Sequence, residues 1–261
     1  MNYSITEIDK AQWDALHGKK AGQGMADSSK LLRQELERCV DSCNQSIERV
    51  KTDIVKFQNW CESGKYPQNI VKEMKNAIDK ATSYIHFTEM LGNYYLIQMD
   101  VNTYSNLVIV ADGEWEWRAY ARHFFTILYE HKDSVFRFLN IFLTQSKESF
   151  GENSDEYCQL KKEKKEFVST INSNSDYAKE IRVIADAHYD EKTSFSERKS
   201  LIESMSYAEV ISLINDYLVK SALLMKSFQS LIGNNEKTLN SALNSVVNEM
   251  GKYLKELKSR K

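Results

Sequence analysis

EWEWRAYARHFFTILYEHKDSVFRFLNIF, residues 114–142, decides the fold class. Trp117, Ala121, Phe124, Leu128, His131, Val135, Phe138 and Phe142 recur at alternating steps of four and three. That is the period of a helix packed lengthwise on a neighbour. The spacing predicts one helix from near Glu114 to about Ser146. Large rings bury much area each, and this stretch has the heaviest aromatic load, so it belongs at the centre of the core.

The same spacing recurs on both sides. Leu36, Val40, Cys43, Ile47, Val50, Ile54, Phe57 and Cys61 mark a helix from about Asp27 to Cys61. Gly64 is its stop, and Pro67 suits the first turn of the next helix. That second helix, about Gln68 to Met99, lines up Met74, Ala81, Ile85, Leu91 and Tyr95, and the short connection makes an antiparallel hairpin. From Asp100 to Gly113 the pattern lapses. Leu107-Val-Ile-Val110 has a β-branched bias but no partner strand, and reads as part of a linker.

Beyond the aromatic helix, a turn at Gly151–Asp155 leads into a fourth helix whose charged run, Lys161–Glu166, reads as a solvated face. Asn172-Ser-Asn-Ser175 breaks it. A short fifth helix, about Asp176 to Ala187, carries Tyr177, Ile181, Ile184 and His188 on one stripe. Ser194–Glu197 and Ser206–Glu209 both have the Ser-x-x-Glu form of a capping box, so a helix should start at each. The second of these carries Val210, Ile214, Tyr217, Ser221, Leu224, Phe228 and Leu231, and Gly233-Asn-Asn235 should end it. A last helix, about Glu236 to Ser259, aligns Leu239, Leu243, Val246, Met250, Tyr253 and Leu257.

Composition agrees with an all-α protein. The 261 residues include one proline and nine glycines, three of them within Gly18–Gly24, so little interrupts a helix. The expected organisation is a flexible leader (1–25), an N-terminal helical hairpin (26–100) and a helical bundle (114–261). His17–Gly24 is rich in glycine and lysine but has no Walker spacing and no preceding strand, so a leader is the better reading than a phosphate cradle. A net charge of −2 argues against a protein that coats nucleic acid, which needs many cationic contacts. No stretch approaches transmembrane length and the first 25 residues lack the apolar run of a signal peptide, so no membrane contact is expected. Cys39 and Cys43 share a helix face, but the four cysteines have no CxxC pair. A reduced, cytoplasmic protein with no metal is expected.

One place combines a cation, an imidazole and a helix end: Lys179-Glu-Ile-Arg182-Val-Ile-Ala-Asp186-Ala-His188-Tyr189 and the charged turn after it. Arginine offers a permanently charged fork that matches phosphate oxygens, and histidine titrates near neutral pH. RNA carries its own nucleophile, the 2′-hydroxyl, so a base and a cation suffice to cleave it. Geometry adds a condition. Six residues of straight helix leave Arg182 and His188 about 120° apart. They converge only if the helix ends or distorts near His188, or if a second subunit completes the site.

The Arg-x(4–6)-His spacing, the small-residue run Ile-Ala-Asp-Ala-His188 and the charged turn resemble the HEPN family, α-helical domains of which many are metal-independent ribonucleases in bacterial toxin–antitoxin and phage-defence systems. The resemblance covers roughly residues 114–261. It implies a bundle of four longer helices and a short one, with the hairpin 26–100 packed on it. It further implies an endoribonuclease with His188 as general base or acid and Arg182 as the phosphate-stabilising group, leaving cyclic phosphate ends and using no cofactor. The site would be assembled across a homodimer, with RNA as substrate and an antitoxin or other protein as partner. Asp186 and Tyr189 are supporting candidates. The sequence departs from the family at Val183, where active members carry a polar residue, and in the balanced charge of residues 179–199.

Other readings stand beside this one. Arg182 is four residues before Asp186, the spacing of an ordinary helical ion pair. His188 continues an apolar stripe, where a histidine often packs or caps. Arg118-Ala-Tyr-Ala-Arg-His123 matches the motif a second time, in the middle of the aromatic helix. The alternative function is a catalytically inactive helical dimerisation or interaction protein that binds nucleotide or a protein partner. A third is a phage or mobile-element protein that engages a bacterial partner through its N-terminal hairpin.

Overall fold

The computed structural model describes residues 19–186 and 194–259. Among the described residues the protein is all-α, 92% helical with no strand. Seven α-helices follow in order there: α1 Lys19–Glu62, α2 Gln68–Val110, α3 Glu114–Phe150, α4 Asp155–Ser173, α5 Ser175–Glu180, α6 Phe195–Glu203 and α7 Tyr207–Ser259. A π-helical segment, Ile181–Asp186, continues α5. No described helix is long and apolar enough to cross a membrane.

The helix ends follow local chemistry. Gly64, at φ +65°, adopts a left-handed backbone that costs other residues energy, and it closes the α1–α2 turn. Pro67 stands just before α2 and accepts from Val71 N–H at 3.1 Å. Gly151, at φ +95°, ends α3 with its N–H on Lys147 O. Ser154 caps α4 by accepting from Tyr157 N–H. Ser194 and Glu197 form the full capping box expected at α6. The second expected box does not form. Ser206 does precede α7, but its Oγ is buried without a hydrogen-bond partner among the described residues, and the helix opens on the backbone bond Val210 N–H to Ser206 O.

Three helices are longer than the sequence pattern suggests. Helix α1 starts at Lys19, within the expected leader, rather than near Asp27. Helix α2 runs through the expected linker to Val110. Residues Val101, Asn102, Ser105, Val108 and Ile109 are buried at helical spacing there, and burial outweighs the few tenths of a kcal/mol by which β-branched residues disfavour a helix. Helix α7 passes through Gly233-Asn-Asn235 without a break, for the same reason. Leu231 and Leu239, on either side, are both buried, and that offsets the roughly 1 kcal/mol a helical glycine costs.

The chain divides into two compact units. One comprises the chain up to Arg38 together with Tyr94–Ser227; the other comprises Cys39–Asn93 and Phe228–Lys261. Helices α1, α2 and α7 each contribute to both.

In the first unit, Trp117, Phe124 and Phe142 of α3 are fully buried, as the aromatic stripe predicts. Phe167 of α4 and Phe124 both meet the ring of Tyr217, at centroid separations of 4.9 and 6.3 Å. A polar network runs through this aromatic core. Gln98 donates to Tyr217 Oη at 3.0 Å and accepts from Ser221 Oγ at 2.7 Å, and the Tyr94 hydroxyl lies 3.3 Å from Ser221. All four side chains are at most 3% exposed. Burial pushes the Tyr94 and Tyr217 phenols far above their ordinary range, so both stay protonated. The second unit is held by Ile70, Met74, Ala77, Ala242 and Val246, with Val50, Ala81, Tyr84 and Leu239 in an adjoining cluster. Trp60 and Tyr66 at the hairpin turn pack beside them, and Tyr66 meets Tyr253 edge-on.

Candidate functional site

The Arg182 neighbourhood is built on α3. Tyr177 of α5 sets its ring edge-on against Phe125, centroids 5.1 Å apart, and Lys132 donates to Ser175 Oγ at 2.8 Å. Ile181, fully buried, is the hydrophobic anchor of the π-helical segment. Burial raises the Tyr177 phenol above its ordinary range, so this ring is a neutral packing element. These contacts fix the backbone from which Arg182 projects.

Arg182 sits inside the π-helical segment rather than on a regular helix. A π-turn closes on i→i+5 hydrogen bonds, and such turns are rare and frequent at functional sites. The distortion thus lies within the interval where Arg182 and His188 need one. The guanidinium reaches α3. Its Nε and Nη2 both lie 3.2 Å from Glu130 Oε1, with 29% of the arginine side chain and 47% of the glutamate exposed. The sequence spacing suggests Asp186 as the partner of Arg182; the described ion pair is with Glu130, 52 positions away. His188 and Tyr189 lie outside the described residues, as does the side chain of Asp186.

The second motif match, Arg118 and His123, is not brought together. Arg118 pairs with Glu114 Oε2 at 2.9 Å and lies 4.7 Å over the Trp117 ring. The Trp117 indole donates to the same Glu114 oxygen, so the arginine belongs to a knot at the start of α3. His123 is exposed, with its ring 5.2 Å from that of Tyr104 on α2. Five residues of regular helix set the two about 140° apart.

Two concavities lie elsewhere. One, of about 480 Å³ in the first unit, is lined mainly by Met25, Leu32, Ile109, Leu218 and Val219, with no titratable group on its wall. The other, of about 510 Å³ in the second unit, has Lys80, Lys237 and Glu73 around it, with Ser245 donating to Glu73 at 2.8 Å. No group of three or more metal-ligating side chains occurs among the described residues.

Glu130 is the described partner of Arg182 that sequence reasoning missed. It sits on the flank of the aromatic stripe with no local pattern to mark it, because its partner is distant in the chain. Compared with models of protein families, with curated proteins and with solved structures, the chain matches none.

Proposed function

We propose that the protein is a metal-independent endoribonuclease of the HEPN type, working as a homodimer in bacterial stress, toxin–antitoxin or phage-defence responses. The observation that carries the reading is the π-helical distortion at Ile181–Asp186, which presents a solvent-reachable arginine just ahead of His188. A straight helix would set the two side chains about 120° apart; a segment closed by i→i+5 bonds does not keep that regular step.

In the proposed reaction His188 takes the proton of an RNA 2′-hydroxyl, whose oxygen attacks the adjacent phosphorus. Arg182 stabilises the charge that builds on the phosphoryl oxygens. The 5′-oxygen leaves and takes up a proton, so the products are a 2′,3′-cyclic phosphate and a 5′-hydroxyl. Two copies would place one subunit's Arg182 and the other's His188 at one scissile phosphate.

The test uses purified protein, RNA and EDTA. Cleavage that leaves cyclic phosphate ends, and is lost in His188→Ala and Arg182→Ala, is the expected result. Cleavage unaffected by both substitutions removes these residues from the site. A second reading draws on the Arg182–Glu130 pair: a guanidinium already held by a carboxylate suits a helical interaction protein that binds nucleotide or a protein partner without turnover. It predicts no cleavage, and partner binding that survives both substitutions.

A further inference from the structure

Glu130 stands where a phosphate would have to compete. The Nε/Nη2 edge of Arg182 is a side of the guanidinium that can grip two phosphate oxygens, and here it converges on one carboxylate oxygen. We propose that Glu130 is a positioning residue that sets RNA affinity: it holds Arg182 against α3 in the free protein and yields that edge to a phosphodiester on binding. This rests on the reading of Arg182 as the phosphate contact.

Three observations make the exchange workable. The pair is open to solvent on both sides, with Glu130 the more exposed partner, so a released carboxylate is hydrated at once. The backbone under Arg182 is pinned by buried Ile181 and by the Tyr177–Phe125 contact, so only the side chain has to swing. A phosphodiester carries one negative charge, as the carboxylate does, so Arg182 trades one counter-ion for another. Removing the charge of Glu130 removes that competitor for Arg182. Exposed pairs of this kind couple weakly, which corresponds to an affinity change of about two- to fivefold.

The experiment measures binding of a fluorescent 2′-O-methyl RNA oligonucleotide, which cannot be cleaved, to wild type, Glu130→Gln, Arg182→Ala and the double variant at low and high salt. Glu130→Gln should tighten binding two- to fivefold at low salt and less at high salt, where the charge is screened. The gain should vanish in the Arg182→Ala background. On cleavable RNA the same variant should lower KM and leave kcat unchanged, a split that a merely structural role does not produce. Unchanged or weaker binding by Glu130→Gln, or a gain that persists without Arg182, overturns the proposal. The two readings fail separately. RNA cleaved at an affinity indifferent to Glu130 sinks this proposal alone, and an Arg182-dependent gain without any cleavage sinks the ribonuclease alone.

Discussion

Replacing Gln98 with leucine tests how far the first unit depends on its buried polar network. Gln98 gives a hydrogen bond to Tyr217 and takes one from Ser221, at 3.0 and 2.7 Å. Leucine has similar bulk, so the cavity term is small and the cost is that of stranding the partners. Tyr217 Oη loses its described donor outright, whereas Ser221 keeps the Tyr94 hydroxyl at 3.3 Å. An orphaned buried polar group costs about 1–3 kcal/mol, so one full and one partial loss come to roughly 2–4 kcal/mol. At about 2–4 °C per kcal/mol for a chain of this size, the thermal midpoint should fall by roughly 4–16 °C. Tyr217→Phe alone should cost about 1–3 kcal/mol by stranding the Gln98 amide. The double variant has neither orphan, so its cost should fall short of the sum by about 1–2 kcal/mol. Urea and thermal denaturation followed by far-ultraviolet circular dichroism measure all three. Strict additivity, or a Gln98→Leu variant within about 0.5 kcal/mol of wild type, would refute the claim that these bonds are made in the folded core.

Thiol chemistry offers a second check. Burial, reinforced by Cys39, pushes the Cys43 thiol up to about 11, while Cys158 is exposed. Iodoacetamide at pH 8 should therefore label Cys158 long before Cys43, and equal rates by mass spectrometry would contradict the packing of Cys43. Because the folded state favours the protonated thiol, Cys43 supports the fold below its ordinary value of 9.0, and that support is lost as pH rises toward 11. The capping box of α6 works in the opposite direction. The Ser194 N–H, and then its hydroxyl, hold the Glu197 carboxyl below its usual 4.5, so the box is present above that pH and lost as pH falls below it. Helix α6 has no buried residue, so Ser194→Ala should speed amide exchange across Phe195–Glu203 at neutral pH and leave the thermal midpoint where it was. A falling midpoint with unchanged exchange would show that the box serves the core and not the helix end.

The helices were legible because their information is periodic and local. The four–three stripe of Trp117, Phe124 and Phe142 needs only a neighbour to pack on, and all three are buried. Where the pattern misleads, two local preferences lose to burial: the β-branched bias at Leu107–Val110 and the Gly233-Asn-Asn235 triplet both lie inside continuous helices. Window-by-window reading weighs a residue's intrinsic cost of under about 1 kcal/mol, but cannot see the larger return from burying the residues around it. The candidate site was legible only in part, for a different reason. Arg182 could be picked out by type and spacing, and Asp186 was the natural partner because a regular helix brings i and i+4 together. The described partner is instead Glu130 of α3, which a rule confined to one helix does not reach. The ion pair to Glu130 then depends on Phe125–Tyr177 and Lys132–Ser175 docking α5 onto α3, contacts that span 52 and 43 positions of sequence. A single chain carries no trace of such couplings. For the same reason the charge balance of residues 179–199 was the wrong measure of the field at Arg182, whose described counter-ion lies outside that window. With Glu130 included, the surroundings of Arg182 are poorer in positive charge than its own segment suggests.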